Sequence, residues 1–457
     1  MLPTTFAAIL LVLAQASGAP APSKAAQERF DACTVHMDAL RWPEAAACFS
    51  DFSQEFPRSS LADEALYDLA LSYDFFPDTA KALRVRRQLS KDYPKSPFAP
   101  EALFRVADAL DKEAAYEDAA TSYTQYARRY PDAAKALLAI TRAAELWSGL
   151  AEPDKALAAN QVFMRDHAKR EPQLATRVMM DNARLLGVKG EHAKAAETYM
   201  QAAGRAKKQK DLPRRFAALD HAVEQYELAK NTKRARRTRD ALIKLYETTP
   251  AYDRDLLEIE DLRGVAYAYF AKGDAQYQVF MRATAKPSKR ASGAEAKKRV
   301  RAKIRAMVKA RDHYAAARSV VRTLPTADGE YVEETDVGQR IDYQLGRMAH
   351  VLRDDFEKLK LSPTNQARYT GALELGAQTL TEYATARYQA VIADVLQKGR
   401  YTDIVPDAVA QLSALDPEQF PPVSGHITTP TYQAPGLQAV GFADLTNNPM
   451  ADGGPAL

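Results

Sequence analysis

Apolar residues recur along most of this chain at intervals of three and four, the spacing that gathers them on one face of an α-helix. From Ala25 onward the helical stretches come in pairs, and each early pair is closed by an aromatic residue followed by proline. The closing pairs are Phe56-Pro57, Tyr93-Pro94 and Tyr130-Pro131, a constant step of 37 residues. A fixed period of about 20–50 residues is the mark of a solenoid built from one repeated supersecondary unit.

Setting each proline at position 32 of a roughly 34-residue helix–turn–helix unit starts units at Ala26, Asp63 and Pro100. The same count starts further units at Leu137 and Thr176. Position 8 then reads Cys33, Ala70, Ala107, Ala144 and Ala183, and position 20 reads Ala45, Ala82, Ala119, Ala156 and Ala195. Position 11 reads His36, Tyr73, Leu110, Trp147 and Leu186, and position 24 reads Phe49, Arg86, Tyr123, Asn160 and Tyr199. Small side chains at two fixed places let antiparallel helices approach, and large ones fill the remaining space. With these residues the chain resembles the tetratricopeptide repeat family over roughly residues 26–210. Arg86 and Asn160 depart from the bulky apolar residue the family has at position 24, and Ala168 and Lys207 stand where proline is expected. Runs such as FPRSSLADEALYDLALSY are similar in style to tetratricopeptide proteins of the bacterial envelope, among them an outer-membrane assembly factor and a Tol-associated periplasmic coordinator.

The resemblance implies an all-α, right-handed solenoid of about five units that grips protein partners in a concave groove. In this repeat class positions 2, 5, 9, 12 and 13 of each first helix line that groove. Position 5 reads Phe30, Tyr67 and Phe104, and Glu64, Asp74, Phe75, Glu101, Asp108 and Asp111 lie nearby. The expectation is an aromatic-lined, acidic groove suited to a basic segment; the competing reading is that position 5 is aromatic for packing alone, or that the groove is filled by the chain's own C-terminal part.

Beyond residue 210 the period blurs. Residues 211–290 read as degenerate helical repeats, with Lys272-Gly273-Asp274 as a turn between paired helices. Residues 291–414 read as an irregular domain of longer helices, from about Ala294 to Arg322, Asp336 to Leu359 and Asn365 to Leu396. Residues 415–457 are Pro-rich and read as an extended tail.

Composition changes the picture at the ends more than in the middle. A content of 46% hydrophobic and 27% charged residues fits a folded chain, and 457 residues exceed one ordinary core. The formal net charge of +4 is too small to imply a nucleic-acid partner. Phe6 to Ala14 is a short apolar run followed by the small-x-small Ala14-Gln15-Ala16. Residues 1–16 therefore read as a secretory signal peptide and 17–25 as a linker, although no Lys or Arg precedes the run. The expected location is the periplasm or beyond, without a lipid-anchor cysteine or a membrane-spanning helix. Cys33 and Cys48 sit on the two helices of the first unit; they read either as one disulfide or as two buried thiols.

Catalytic patterns are missing: no Gly-rich phosphate loop, no metal-spaced His/Cys pair and no nucleophile elbow, so no enzyme, cofactor or metal is implied. One charged stretch stands out. Between Arg282 and Arg311, Val300, Ile304, Met307 and Val308 fall on one helical face. Lys297, Lys298, Arg299, Arg301, Lys303, Arg305 and Lys309 surround them. A basic amphipathic helix of this kind docks on an anionic membrane or polymer surface, or is an ordinary packed helix with a solvated basic face. Three functions follow: a scaffold holding cell-envelope proteins together, a membrane- or peptidoglycan-associated adaptor, and an accessory domain of a cell-wall enzyme.

Overall fold

The computed structural model describes residues 21–76, 78–254, 257–284, 293–322, 335–358, 363–399 and 401–422. The signal-peptide reading and the tail beyond residue 422 lie outside these residues. The described chain is all-α, with eighteen helices and no strand among the described residues. It falls into two compact units, the first ending at Thr232 and the second beginning at Lys233.

Unit 1 holds α1 (Lys24–Asp38), α2 (Trp42–Glu55), α3 (Ala62–Phe75), α4 (Thr79–Asp92), α5 (Ala99–Lys112), α6 (Tyr116–Arg129), α7 (Ala136–Gly149), α8 (Pro153–Asp166), α9 (Pro172–Val188), α10 (His192–Gln209) and α11 (Leu212–Leu228). From α1 to α11 each helix packs on the next, so the array is a run of hairpins of tetratricopeptide type. Helices α2 to α8 are all 14 residues long.

The sequence sets this length from both sides. A residue before proline is driven out of the α region. Phe56, Tyr93 and Tyr130 accordingly leave the helix at φ between −122° and −127°. The turn that follows is the same each time: Ser59, Ser96 and Ala133 donate their N–H to the carbonyls of Phe56, Tyr93 and Tyr130. The Tyr93 hydroxyl then donates to the Pro57 carbonyl at 2.6 Å, and Tyr130 to the Pro94 carbonyl at 3.1 Å. Each turn is thus bonded to the one before it. Phe56, in the first unit, carries no hydroxyl.

The turns inside the hairpins are also regular. Leu40, Ala114, Ala151 and Gly190 have φ between +56° and +76°. The next residue donates its N–H five residues back, as Arg41 does to His36 and Ala115 to Leu110. This double-bonded helix end satisfies carbonyls that the helix leaves open.

The small residues at position 20 are all fully buried, and so are Cys33, Ala70, Ala107 and Ala183 at position 8; Ala144 in the fourth unit is half-buried, with Ala143 taking the inner place. The two polar departures at position 24 find partners. Asn160 donates to the Asn182 carboxamide oxygen at 2.8 Å, and Arg86 pairs with Asp74.

Unit 2 holds α12 (Thr232–Thr248), which begins at the boundary, α13 (Ala251–Arg254), α14 (Ile259–Arg282), α15 (Gly293–Arg322), α16 (Thr335–Glu357), α17 (Pro363–Lys398) and α18 (Val405–Leu415). Its core is two long hairpins, α14 on α15 and α16 on α17, with α18 against α17. Lys272-Gly273-Asp274 is not a turn: α14 runs straight through it. Gly273 is there because the Tyr314 ring of α15 lies on the helix, and a Cβ would stand 2.3 Å from a ring carbon. The second hairpin repeats the device, with a Cβ on Gly346 of α16 reaching 2.8 Å from the Tyr388 ring of α17. Ala310 and Ala384, buried four residues before each tyrosine, complete the match. The small-against-large packing of unit 1 therefore persists in unit 2 on longer helices. Charge ties these helices as well: Asp342 of α16 is buried between Arg318 of α15 and Arg387 of α17, the latter at 3.0 Å.

Candidate functional site

The first helix of each unit-1 hairpin carries the residues expected to line a groove. The structure divides them. Phe30 is 7% exposed and Phe104 8%. Phe30 lies edge-on to Phe49 and Phe52, with centroids at 5.5 and 5.6 Å, and Phe104 edge-on to Tyr123 and Tyr126 at 5.6 and 5.4 Å. These two are core residues, because position 5 faces the second helix of its own hairpin; the groove role read for them is corrected to packing. Tyr67 is half-buried and stacks on Phe98 at 4.8 Å.

The acidic residues are mostly neutralised from within the chain. Asp74 pairs with Arg86. Glu101 accepts from Arg105 at 2.8 Å and from Lys135 of the next unit at 2.7 Å. Burial pulls its pKa up, but hydrogen bonds from Lys135 and Arg105 outweigh that and hold it below the usual range. Asp108 pairs with Lys112 at 2.8 Å, and Asp111 takes a two-pronged contact from Arg142 at 2.7 and 2.9 Å. The groove of units two and three is therefore not acidic along its length, because cations four residues on or one repeat on answer most of its carboxylates.

Glu64 is the exception, together with Asp68, which sequence reasoning passed over. Both lie on α3, four residues apart, and neither joins a salt bridge among the described residues. Burial, then Asp63, raises the pKa of Glu64. Burial, then Glu64, pushes Asp68 up to about 7. A signal for it was present: position 6 reads Asp31, Asp68, Arg105, Arg142 and Asp181, charged in all five units.

At the tip of the same hairpin, Phe75 is 57% exposed and stacks on Trp42 of the preceding hairpin at 4.3 Å and 13°. Phe76 beside it is exposed as well. The edge of the first two hairpins thus offers an aromatic shelf at the C-terminal end of α3, seven residues or about 10 Å of helix beyond Asp68. Cys33 and Cys48 are joined by a disulfide that ties α1 to α2, with Cα atoms 5.3 Å apart.

The basic stretch of α15 is also divided. Lys297, Lys298, Arg301, Arg305 and Lys309 are exposed, and Arg299 is half-buried. Lys303 is 2% exposed, pairs with Asp355 of α16, and holds its Nζ 4.7 Å from the Phe280 ring centroid. It is removed from the basic surface, because the buried stripe of α15 runs through Lys303, Ala306, Met307, Ala310 and Tyr314. Val308, expected on the apolar face, is 36% exposed. Among the described residues no three or more His, Cys, Asp or Glu side chains are grouped so as to hold a metal ion. No described helix is long and apolar enough to cross a membrane.

No protein-family model matches this chain, and no curated protein matches it. Solved structures are similar to it at low identity. A tetratricopeptide repeat protein from Parabacteroides merdae is 13% identical, over 71% of this chain and 99% of its own, with a TM-score of 0.26. BtubC from P. vanneervenii is 14% identical, over 55% and 92%, with a TM-score of 0.29. PilW, a type IV pilus biogenesis factor, is 14% identical, over 51% and 99%, with a TM-score of 0.25. At these scores the tetratricopeptide-type assignment rests on the hairpins of this chain itself.

Proposed function

We propose that the chain is a scaffold that holds other proteins against the hairpin array of unit 1. The observation that carries this reading is the α3 surface, where Glu64 and Asp68 have no cation partner among the described residues and Phe75, stacked on Trp42, stands exposed at the end of the same helix. A buried, uncompensated carboxylate pair costs folding energy and gains most from a cation brought by a partner. Rigid aromatic rings offer contact area at low entropic cost. The partner we infer is a protein segment that presents Lys or Arg next to an apolar residue. Export to the bacterial envelope is part of the proposal; the Phe6–Ala16 pattern and a disulfide of the kind that persists in oxidising compartments support it.

The test is crosslinking with pulldown from envelope fractions. Glu64→Gln with Asp68→Asn, and separately Phe75→Ser, are expected to lose the partners the wild type captures. Partners retained unchanged by both would sink the reading. Phe104 is unsuitable for this test, since truncating a core ring costs about 3–5 kcal/mol of stability.

A further inference from the structure

Unit 2 carries a broad cationic face that the groove reading does not use. On α12, Lys233, Arg236, Arg237 and Lys244 fall on one side of the helix, away from the buried Ala235, Thr238, Leu242 and Leu245. On α15, Lys297, Lys298, Arg305 and Lys309 are exposed. None of these eight joins a salt bridge among the described residues. Two contacts join the stripes into one surface. Lys272 of α14 meets Asp240 of α12 at 3.1 Å. His313 of α15 is half-buried among Lys272, Asp312, Lys309 and Asp240, with Asp312 itself paired to Arg311; burial, then Lys272, keeps the His313 pKa below the ordinary value. Asp240, the acid in the middle of the face, is thus already occupied by Lys272.

We propose that this face of α12, α14 and α15 docks on the anionic headgroups of a lipid bilayer, by charge alone. Insertion of α15 as an amphipathic helix is ruled out by its packing: Ala306, Met307, Ala310 and Tyr314 are buried, and Lys303 lies among them. A protein partner fits less well, because interfaces between proteins have an apolar core inside a polar rim. Along α12 from Lys233 to Lys244 and α15 from Lys297 to Lys309, Val308 is the one large apolar side chain exposed among the described residues, and α14 adds only the scattered Tyr267 and Val279. The extent of the face favours a sheet of headgroups over a single polyanionic strand. The α12 stripe is about 16 Å long and the α15 stripe about 18 Å, and the surface crosses three helices rather than following one track.

The experiment is vesicle co-sedimentation of the full chain at low and high salt. Vesicles with about a third phosphatidylglycerol in phosphatidylcholine are compared with pure phosphatidylcholine, and free polyphosphate is the competitor arm. Each Lys or Arg at an anionic surface strengthens binding about fivefold. Replacing Lys297, Lys298, Arg305 and Lys309 by Gln, or Lys233, Arg236, Arg237 and Lys244 by Gln, is expected to weaken binding by about a hundredfold or more. A control with the same charge change replaces Arg84, Arg87, Lys91 and Lys95 of unit 1 by Gln and is expected to bind within a few fold of wild type. High salt should release the wild type, through screening. No binding to the anionic vesicles overturns the proposal, and so does equal weakening by the unit-1 control. Capture by polyphosphate but not by vesicles overturns the choice of a bilayer. The Glu64→Gln/Asp68→Asn variant should bind vesicles normally, so this face and the unit-1 scaffold can each fail alone.

Discussion

Asp68 holds its charge at a cost. Its pKa in the folded chain is about 7, against 3.8 for a free side chain, because burial and Glu64 four residues earlier both oppose ionisation. Between those two values the folded state binds more protons than the unfolded one, so stability falls as pH rises through that window. Below about pH 3.8 the penalty is absent, and above about pH 7 it is complete. Asp68→Asn should therefore stabilise the chain at pH 8, by at most about 4 kcal/mol, and by almost nothing at pH 3.5. Thermal melts of both proteins across pH would check this; equal gains at both ends would contradict it. The charge at this position was legible in the sequence. Which charges are answered was not, because two of the answering cations come from another repeat. Lys135 reaches Glu101 and Arg142 reaches Asp111 across more than thirty residues.

At the scale of helices, the spacing of small residues was the most legible feature, and it was also misread once. Gly273 between Lys272 and Asp274 has the composition of a turn. It serves instead as the flat place on which Tyr314 lies, a role that only the partner helix reveals. Gly346 under Tyr388 is the same arrangement. Alanine is a better helix former than glycine by about 1 kcal/mol, so local propensity alone favours Gly346→Ala. The added methyl must displace a fully buried ring, and overpacking typically costs about 1–3 kcal/mol. The expected outcome is net destabilisation, read from the urea midpoint, with recovery when Tyr388→Leu is added. Phe30 and Phe104 stayed open between groove and packing for a related reason: a period of 37 marks equivalent places without saying which of them face inward.

Across the whole molecule, the 37-residue period and the paired helices were visible before any coordinates, and the long hairpins of unit 2 were visible only as long helices. The helices there lengthen and the period is lost, although the Ala–Tyr and Gly contacts inside each hairpin survive. The disulfide bears on unit 1 alone. Cys33 and Cys48 close a loop of 15 residues, worth about 3 kcal/mol in the chain-entropy model. A Cys33→Ala/Cys48→Ala variant should lose hydrogen-exchange protection first in α1 and α2 and leave α14 to α17 as protected as before. Loss spread evenly through both units would contradict that. The tyrosine ladder along the turns has a consequence of another kind. Each rung joins only adjacent turns, Tyr93 to Pro57 and Tyr130 to Pro94. Excising residues 94–130 would leave Tyr93 followed by Pro131, a junction with the same grammar as the one removed. The array can therefore change its length in whole modules during descent while every surviving joint keeps its form.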